Sequence, residues 1–163
     1  MACVLGVDPS LRATGYGVIR GESEKNRAVG SYGTVVNPPS LSHPNCLERI
    51  FDRLSEVIAS EKVEVMAIES TIYVQSYKTA IILGAARGSA LLAAAKAGVP
   101  VFEYAPKRVK QAVVGRGAAG KHQVGFMVRA LLGLTETPES DAADALAVAL
   151  THTQASSISN GLG

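Results

Sequence analysis

Twice in this chain an apolar run of strand length ends on a carboxylate. Ala2-Cys-Val-Leu-Gly-Val7 leads into Asp8-Pro9, and Val63–Ile68 leads into Glu69. The first run reads as a buried strand, stopped where proline interrupts the ladder, so its acid sits where the chain leaves the sheet. The second repeats the pattern. A fold that accommodates both places these strands side by side in the middle of a sheet, with their acidic ends within reach of each other.

The intervening segments give the rest of the order. Thr14–Ile19 and Ala28–Val36, separated by the polar stretch Gly21–Arg27, make the first 36 residues an antiparallel meander of three strands. Leu41–Lys62 carries Leu47, Ile50, Phe51, Leu54, Val57 and Ile58 at helical spacing and leaves Asp52, Arg53 and Glu56 for the wet face. Tyr73–Tyr77 reads as a loop or helix entry. An Ala-rich helix follows to about Ala97, with Gly84 and Gly88 four residues apart, so one face can approach another backbone closely, either across a dimer axis or within the subunit. Gly98-Val-Pro100 opens a fifth strand through Tyr104. Pro106–Val114 and Gln123–Leu132 are shorter helices around a glycine-containing stretch, 115–120, expected to be mobile. Thr137-Pro-Glu-Ser140 reads as a helix start, with Thr137 capping and Pro138 at the first position, and the helix is expected to end near His152. The expected fold is α/β: a five-stranded mixed sheet, three antiparallel strands then two parallel, flanked by helices. Residues 1–152 form the domain and 153–163 a flexible polar tail.

A chain of 163 residues buries an adequate core without a disulfide or structural metal. Cys3 and Cys46 have neither the count of a secreted framework nor the clustering of a zinc site. Asp8 follows Met1 too closely for a signal-peptide core, and no stretch approaches about 18 uninterrupted apolar residues, so a soluble cytoplasmic protein with no membrane span is expected. Formal net charge is only +2, but it is unevenly spread. Residues 87–129 hold Arg87, Lys96, Lys107, Arg108, Lys110, Arg116, Lys121 and Arg129 against the single acid Glu103. A basic middle between acidic ends suits a phosphate-binding surface beside a carboxylate site, and equally suits two solvated basic helices.

The last helix adds Asp141 and Asp144 at i and i+3, on a face that continues through Ala145 and Val148 toward the core. Singly these acids have duller readings. Asp8 can begin a turn, Glu69 can be a surface acid, and Asp141 can favour the helix dipole. Asp144 resists them, because Ala142, Ala143, Ala145 and Leu146 make its turn apolar and an unpaired buried acid is costly. Four converging carboxylates repel one another unless something positive sits among them. Oxygen-only ligands with an open side suit Mg²⁺. Two ions about 4 Å apart would activate a water and stabilise the leaving oxygen of a phosphodiester, which defines a hydrolytic nuclease.

Over about residues 2–152 the chain resembles the RuvC family of bacterial Holliday-junction resolvases. The matching runs are Leu5-Gly-Val-Asp-Pro9, Thr14-Gly-Tyr-Gly-Val-Ile-Arg20, Ala67-Ile-Glu69, Ala86-Arg-Gly88, Pro100-Val-Phe-Glu-Tyr-Ala105, Val109-Lys-Gln111, Val113-Val-Gly115 and Asp141-Ala-Ala-Asp-Ala-Leu-Ala147, in family order. The resemblance implies a ribonuclease-H-like fold and a homodimer. It implies Mg²⁺- or Mn²⁺-dependent paired nicking of two strands of like polarity at a four-way DNA junction, with the RuvA–RuvB branch-migration complex as partner. It also implies Asp8, Glu69, Asp141 and Asp144 as the acidic site, and Lys110 and Lys121 as phosphate-gripping lysines, Lys121 also assisting the chemistry. Two positions depart from the family pattern. Ser10 replaces the usual glycine after Asp-Pro, and the wedge phenylalanine of the loop after Glu69 falls on Ile72, followed by Tyr73, either of which can contact bases at the crossover.

Other functions fit less well. An actin-like or sugar-kinase-type ATPase needs two such domains around its nucleotide, and no Gly-x-x-x-x-Gly-Lys loop is present. No Gly-x-Gly-x-x-Gly follows the first strand, which disfavours a dinucleotide-binding domain. A non-catalytic junction-binding module explains the basic segment and gives no reason for Asp144.

Overall fold

The computed structural model describes residues 2–71, 75–114 and 121–161, the side chains at 121, 122 and 157–161 aside. In chain order the elements are β1 (Cys3–Asp8), β2 (Ala13–Arg20), β3 (Ala28–Val36), α1 (His43–Glu61), β4 (Val65–Glu69), α2 (Tyr77–Lys96), β5 (Val101–Tyr104), α3 (Pro106–Val114), α4 (Lys121–Leu132) and α5 (Ser140–Gly161), with a short 3₁₀ turn at Glu24–Asn26. The sheet order is β3-β2-β1-β4-β5. β1 and β3 run antiparallel to β2, and β4 runs parallel to both β1 and β5. The expected three-plus-two mixed sheet is therefore present, with the two acid-terminated strands adjacent at its centre.

Strand parity splits the core in two, because successive side chains point to opposite faces. Leu5, Val7, Val18, Met66 and Ile68 face α1 and α2, where they meet Ile50, Leu54, Val57 and Ala86, Ala90 and Ala93. Val4, Ile19 and Ala67 face the other way, toward Val109, Val113, Val124, Val128, Leu146, Val148 and Leu150 of α3, α4 and α5. Local signals start and stop α1. The Ser42 hydroxyl accepts from the Asn45 N–H, and Lys62, in the left-handed region at φ 55°, ends the helix with a bond to the Ile58 carbonyl.

α2 has the length and apolar composition of a membrane span, the one such helix among the described residues. Here Ala86, Ala90, Ala93 and Ala94 are buried in the core that it shares with α1. Its other side is open. A methyl group built at Gly84 or Gly88 would meet no described atom within 4 Å, so the intramolecular reading of the glycine pair is corrected.

Both ends of α5 differ from expectation. The helix begins at Ser140, and the first bond runs from the Ala143 N–H to the Glu139 carbonyl at 2.8 Å, so Thr137 and Pro138 precede it. The cause is packing: Pro138 is buried, and the Thr137 methyl lies against α4 at Gly125. A residue before proline is also biased away from helix. At the far end α5 continues past His152 to Gly161. Thr153 is buried and Gln154 donates to the Ala112 carbonyl at 3.1 Å, so the polar residues after His152 begin as helix docked on α3 rather than as a flexible tail. Serine, threonine and glutamine hid this in the sequence because their hydroxyls and amide find partners on the helix and its neighbour. The stretch 115–120 lies outside the described residues.

Candidate active site

The same parity that divides the core aims the acids. On β1, Val4 and Gly6 point toward α5, so Asp8 does too, and on β4 Ala67 points that way, so Glu69 follows. The β1–β4 register ends at the pair Val7–Ile68, which puts the two carboxylates one residue beyond the last position at which these two strands pair. Asp144 approaches them from α5.

What lets α5 come so close is an absence of side chains. A Cβ at Gly6 would stand 1.9 Å from the Ala145 carbonyl oxygen, and one at Gly15 would stand 1.9 Å from the Asp141 carbonyl oxygen. A Cβ at Gly17 would meet Leu146 Cδ2 at 2.5 Å. Backbone therefore lies on backbone along the first turns of α5, with Ala142, Ala143, Ala145 and Ala147 buried beside it. The helix bearing Asp141 and Asp144 is seated by three strand glycines on one sheet face. Sequence reasoning missed their role, although glycine inside a strand often marks a close backbone approach.

Asp8, Glu69, Asp144 and Lys110 line one cavity of about 290 Å³, together with Pro106, Val109, Val124 and Ala147. These four polar residues are all half-buried. Asp141, also half-buried, stands one helical turn before Asp144 and is not part of the cavity lining. Lys121 is the first residue of α4. Ile72 and Tyr73 lie outside the described residues. Among the described residues no three His, Cys, Asp or Glu side chains close tightly enough to enclose an ion by themselves. Three carboxylates around a cavity, with no cysteine or histidine on its lining, form an oxygen donor set of the kind a hard, partly hydrated divalent cation takes.

The turn that follows Asp8 accepts serine without strain. The Ser10 N–H donates to Thr14 Oγ1 at 3.2 Å and the buried Thr14 hydroxyl donates back to the Ser10 carbonyl. Lys62 is the only non-glycine residue at positive φ among those described, so Ser10 needs no left-handed backbone. Around the cavity, the Tyr104 hydroxyl lies 2.7 Å from His152 Nδ1, joining β5 to α5, while Arg108 stacks over the Tyr104 ring at 5.1 Å. Burial pushes the Tyr104 pKa up, partly offset by Arg108, and pushes that of His152 down.

Residues 4–152 match the family model of the crossover junction endodeoxyribonuclease RuvC. The RuvC of Akkermansia muciniphila is 54% identical over 149 residues, spanning 91% of this chain and 89% of that protein. The RuvC of Syntrophomonas wolfei is 47% identical over 150 residues, spanning 91% and 87%. Among solved structures, Thermus thermophilus RuvC in complex with Holliday junction substrate superposes with a TM-score of 0.91 at 36% identity, covering 98% of this chain and 97% of that one.

Proposed function

This chain belongs to the RuvC family of crossover junction endodeoxyribonucleases, with the ribonuclease-H-like fold and Holliday-junction resolvase activity that membership carries, and we propose that Asp8, Glu69, Asp141 and Asp144 form its metal-binding active site. The observation that supports this reading is the convergence of Asp8, Glu69 and Asp144, from three separate elements, on one cavity with Lys110. Members of the family are metal-dependent nucleases. We assign Mg²⁺, with Mn²⁺ as a substitute, at two ions per site. Bound there, the ions supply Lewis acidity at the scissile phosphodiester and an acidified water.

The protein's own groups have distinct tasks. Asp8 and Glu69, fixed at strand exits, and Asp144, fixed by the glycine-seated helix, set the donor positions, and Asp141 is assigned as a fourth carboxylate, one helical turn before Asp144. Lys110 faces the same cavity and holds the phosphate as a point charge. Lys121, at the head of α4, is assigned to phosphate binding and to stabilising charge in the transition state. Ile72 or Tyr73, both of which follow Glu69 in the chain, is assigned to contact with the bases at the crossover.

Cleavage of a synthetic four-way junction and a matched linear duplex, with Mg²⁺ or EDTA, by the wild type and Asp8→Asn tests the site. Paired metal-dependent nicks on the junction alone, abolished in Asp8→Asn while junction binding persists, are expected. Binding without cleavage by the wild type in both Mg²⁺ and Mn²⁺ would withdraw the assignments and leave a junction-binding protein on a nuclease fold.

A junction with two equivalent scissile strands matches an isologous dimer. α2 supplies the contact face: Tyr77, Ile81 and Leu92 are 91%, 73% and 54% exposed, and Gly84 and Gly88 between them leave room for a second backbone. Gly88→Leu is expected to give folded monomer by sedimentation, and an unchanged dimer removes this face from consideration. Family membership also supports action in the cytoplasm beside the RuvA–RuvB branch-migration complex.

A further inference from the structure

Arg87 lies on α2 within Ala86-Arg-Gly88, and none of the chemistry above uses it. Its side chain is only 16% exposed, although neighbouring Gly84 and Gly88 face solvent. The guanidinium is engaged on two sides. Nη1 donates to the main-chain carbonyl of Glu69 at 3.0 Å, and Nη2 pairs with the Glu103 carboxylate on β5. Glu103 is the register partner of Ile68, the residue before Glu69. One rigid fork thus ties α2, the acid-bearing end of β4 and the edge strand β5 together.

The need for such a tie follows from the ladder. Pairing between β1 and β4 stops at Val7–Ile68, one residue before Glu69. On the other side the last contact is the Ser70 N–H donating to the Tyr104 carbonyl at 2.8 Å. The strand leaves the sheet here, so the backbone position of Glu69 sets where its carboxylate lies. The charge-assisted bond from Arg87 to the Glu69 carbonyl adds a fixed point at the residue whose side chain lines the cavity.

We propose that Arg87 is a positioning residue for Glu69, clamping the β4 exit so that the carboxylate stays aimed into the cavity with Asp8 and Asp144. This rests on the reading of Glu69 as a site acid. It also removes Arg87 from the phosphate-binding surface, since its guanidinium is already committed to a carbonyl and a carboxylate inside the subunit.

Arg87→Met, Arg87→Lys and Glu103→Gln, compared with Glu69→Gln, test the clamp. The readouts are kcat and junction Kd in Mg²⁺, thermal unfolding, and amide hydrogen exchange at Ser70. Arg87→Met is expected to lower kcat about ten- to a hundred-fold, the range for groups that orient metal ligands, with junction Kd unchanged. Exchange should quicken at Ser70 while β1 stays protected. Arg87→Lys should recover part of the rate, because an ammonium reaches one partner at a time, and Glu103→Gln should give a smaller loss of the same kind. These two carry the test if Arg87→Met does not fold. Wild-type kcat with unchanged Ser70 exchange overturns the proposal, as does a rate loss that merely tracks the folded fraction. Unimpaired cleavage by Glu69→Gln would instead sink the role of Glu69, and the proposal with it, while Ser70 exchange would still report whether the clamp exists.

Discussion

The two faces of the sheet are packed on opposite plans. Toward α1 and α2 the strands present Leu5, Val7, Val18, Met66 and Ile68, and the helices stand off at the distance those side chains require. Toward α5 three strand positions, Gly6, Gly15 and Gly17, present nothing; the helix backbone lies where side chains of Gly6 and Gly15 would be, and the Leu146 side chain where that of Gly17 would be. A face built from bulky aliphatics repacks when one is trimmed, since core volume is shared among many rotamers. A backbone-on-backbone contact has no rotamer to adjust. The acids proposed for the site come from strand exits and from the helix on this second face, so their placement depends on the packing that is least adaptable.

The sharpest way to break the contrast is to add one methyl group. Gly6→Ala puts Cβ against the Ala145 carbonyl, displacing α5 at the turn that carries Asp144. The expected cost is about 1–3 kcal/mol of stability, as for overpacking elsewhere, and a cleavage loss on the order of 100-fold, as a misplacement near 1 Å produces. Both are read from urea unfolding and from turnover normalised to folded protein. Wild-type turnover in Gly6→Ala would show that the close approach does not set the site. On the opposite face, Leu54→Ala removes a fully buried side chain and should cost about 2–5 kcal/mol of stability. Turnover per folded molecule should nevertheless hold. Loss of turnover there would mean that the aliphatic face also sets the acids.

The contrast also explains what the sequence revealed. Strand ends and helix periods are local, so the order of elements, the exits at Asp8 and Glu69, and the inward face of Asp144 could all be read directly. The seating of α5 could not, because Gly6 and Ala145 are partners far apart in the chain and a glycine names no partner. Arg87 was counted as one more member of the basic stretch. Only its position beside the β4 exit shows it bonded to Glu69 and Glu103. Among the basic residues of that stretch whose side chains are described, Lys110 is the one that lines the cavity. The start of α5 was misread for a related reason. Thr137 and Pro138 have the chemistry of a helix start, but burial of Pro138 holds them outside the helix.

The smallest expected effect separates the two faces by pH. On the α5 face, burial lowers the His152 pKa from the ordinary value, with Tyr104, Phe102 and, through Tyr104, Arg108 packed around it. A histidine held neutral in the native state contributes stability that is complete above its unfolded pKa near 6.5 and declines as pH falls through that value, where the unfolded chain takes up the proton first. On the α1 face, the Glu61 carboxylate at the end of α1 accepts from the Ser31 N–H at 2.8 Å and pairs with Arg20, and its pKa is lowered, chiefly by the Ser31 bond. Its contribution is complete above about 4.5 and is lost only below. Urea midpoints followed from pH 8 to 3 should therefore show two separate declines. His152→Gln should remove the upper one and Glu61→Gln should shrink the lower. A single decline near pH 4, unaltered by His152→Gln, would mean that burial of His152 contributes no pH-dependent stability on the α5 face.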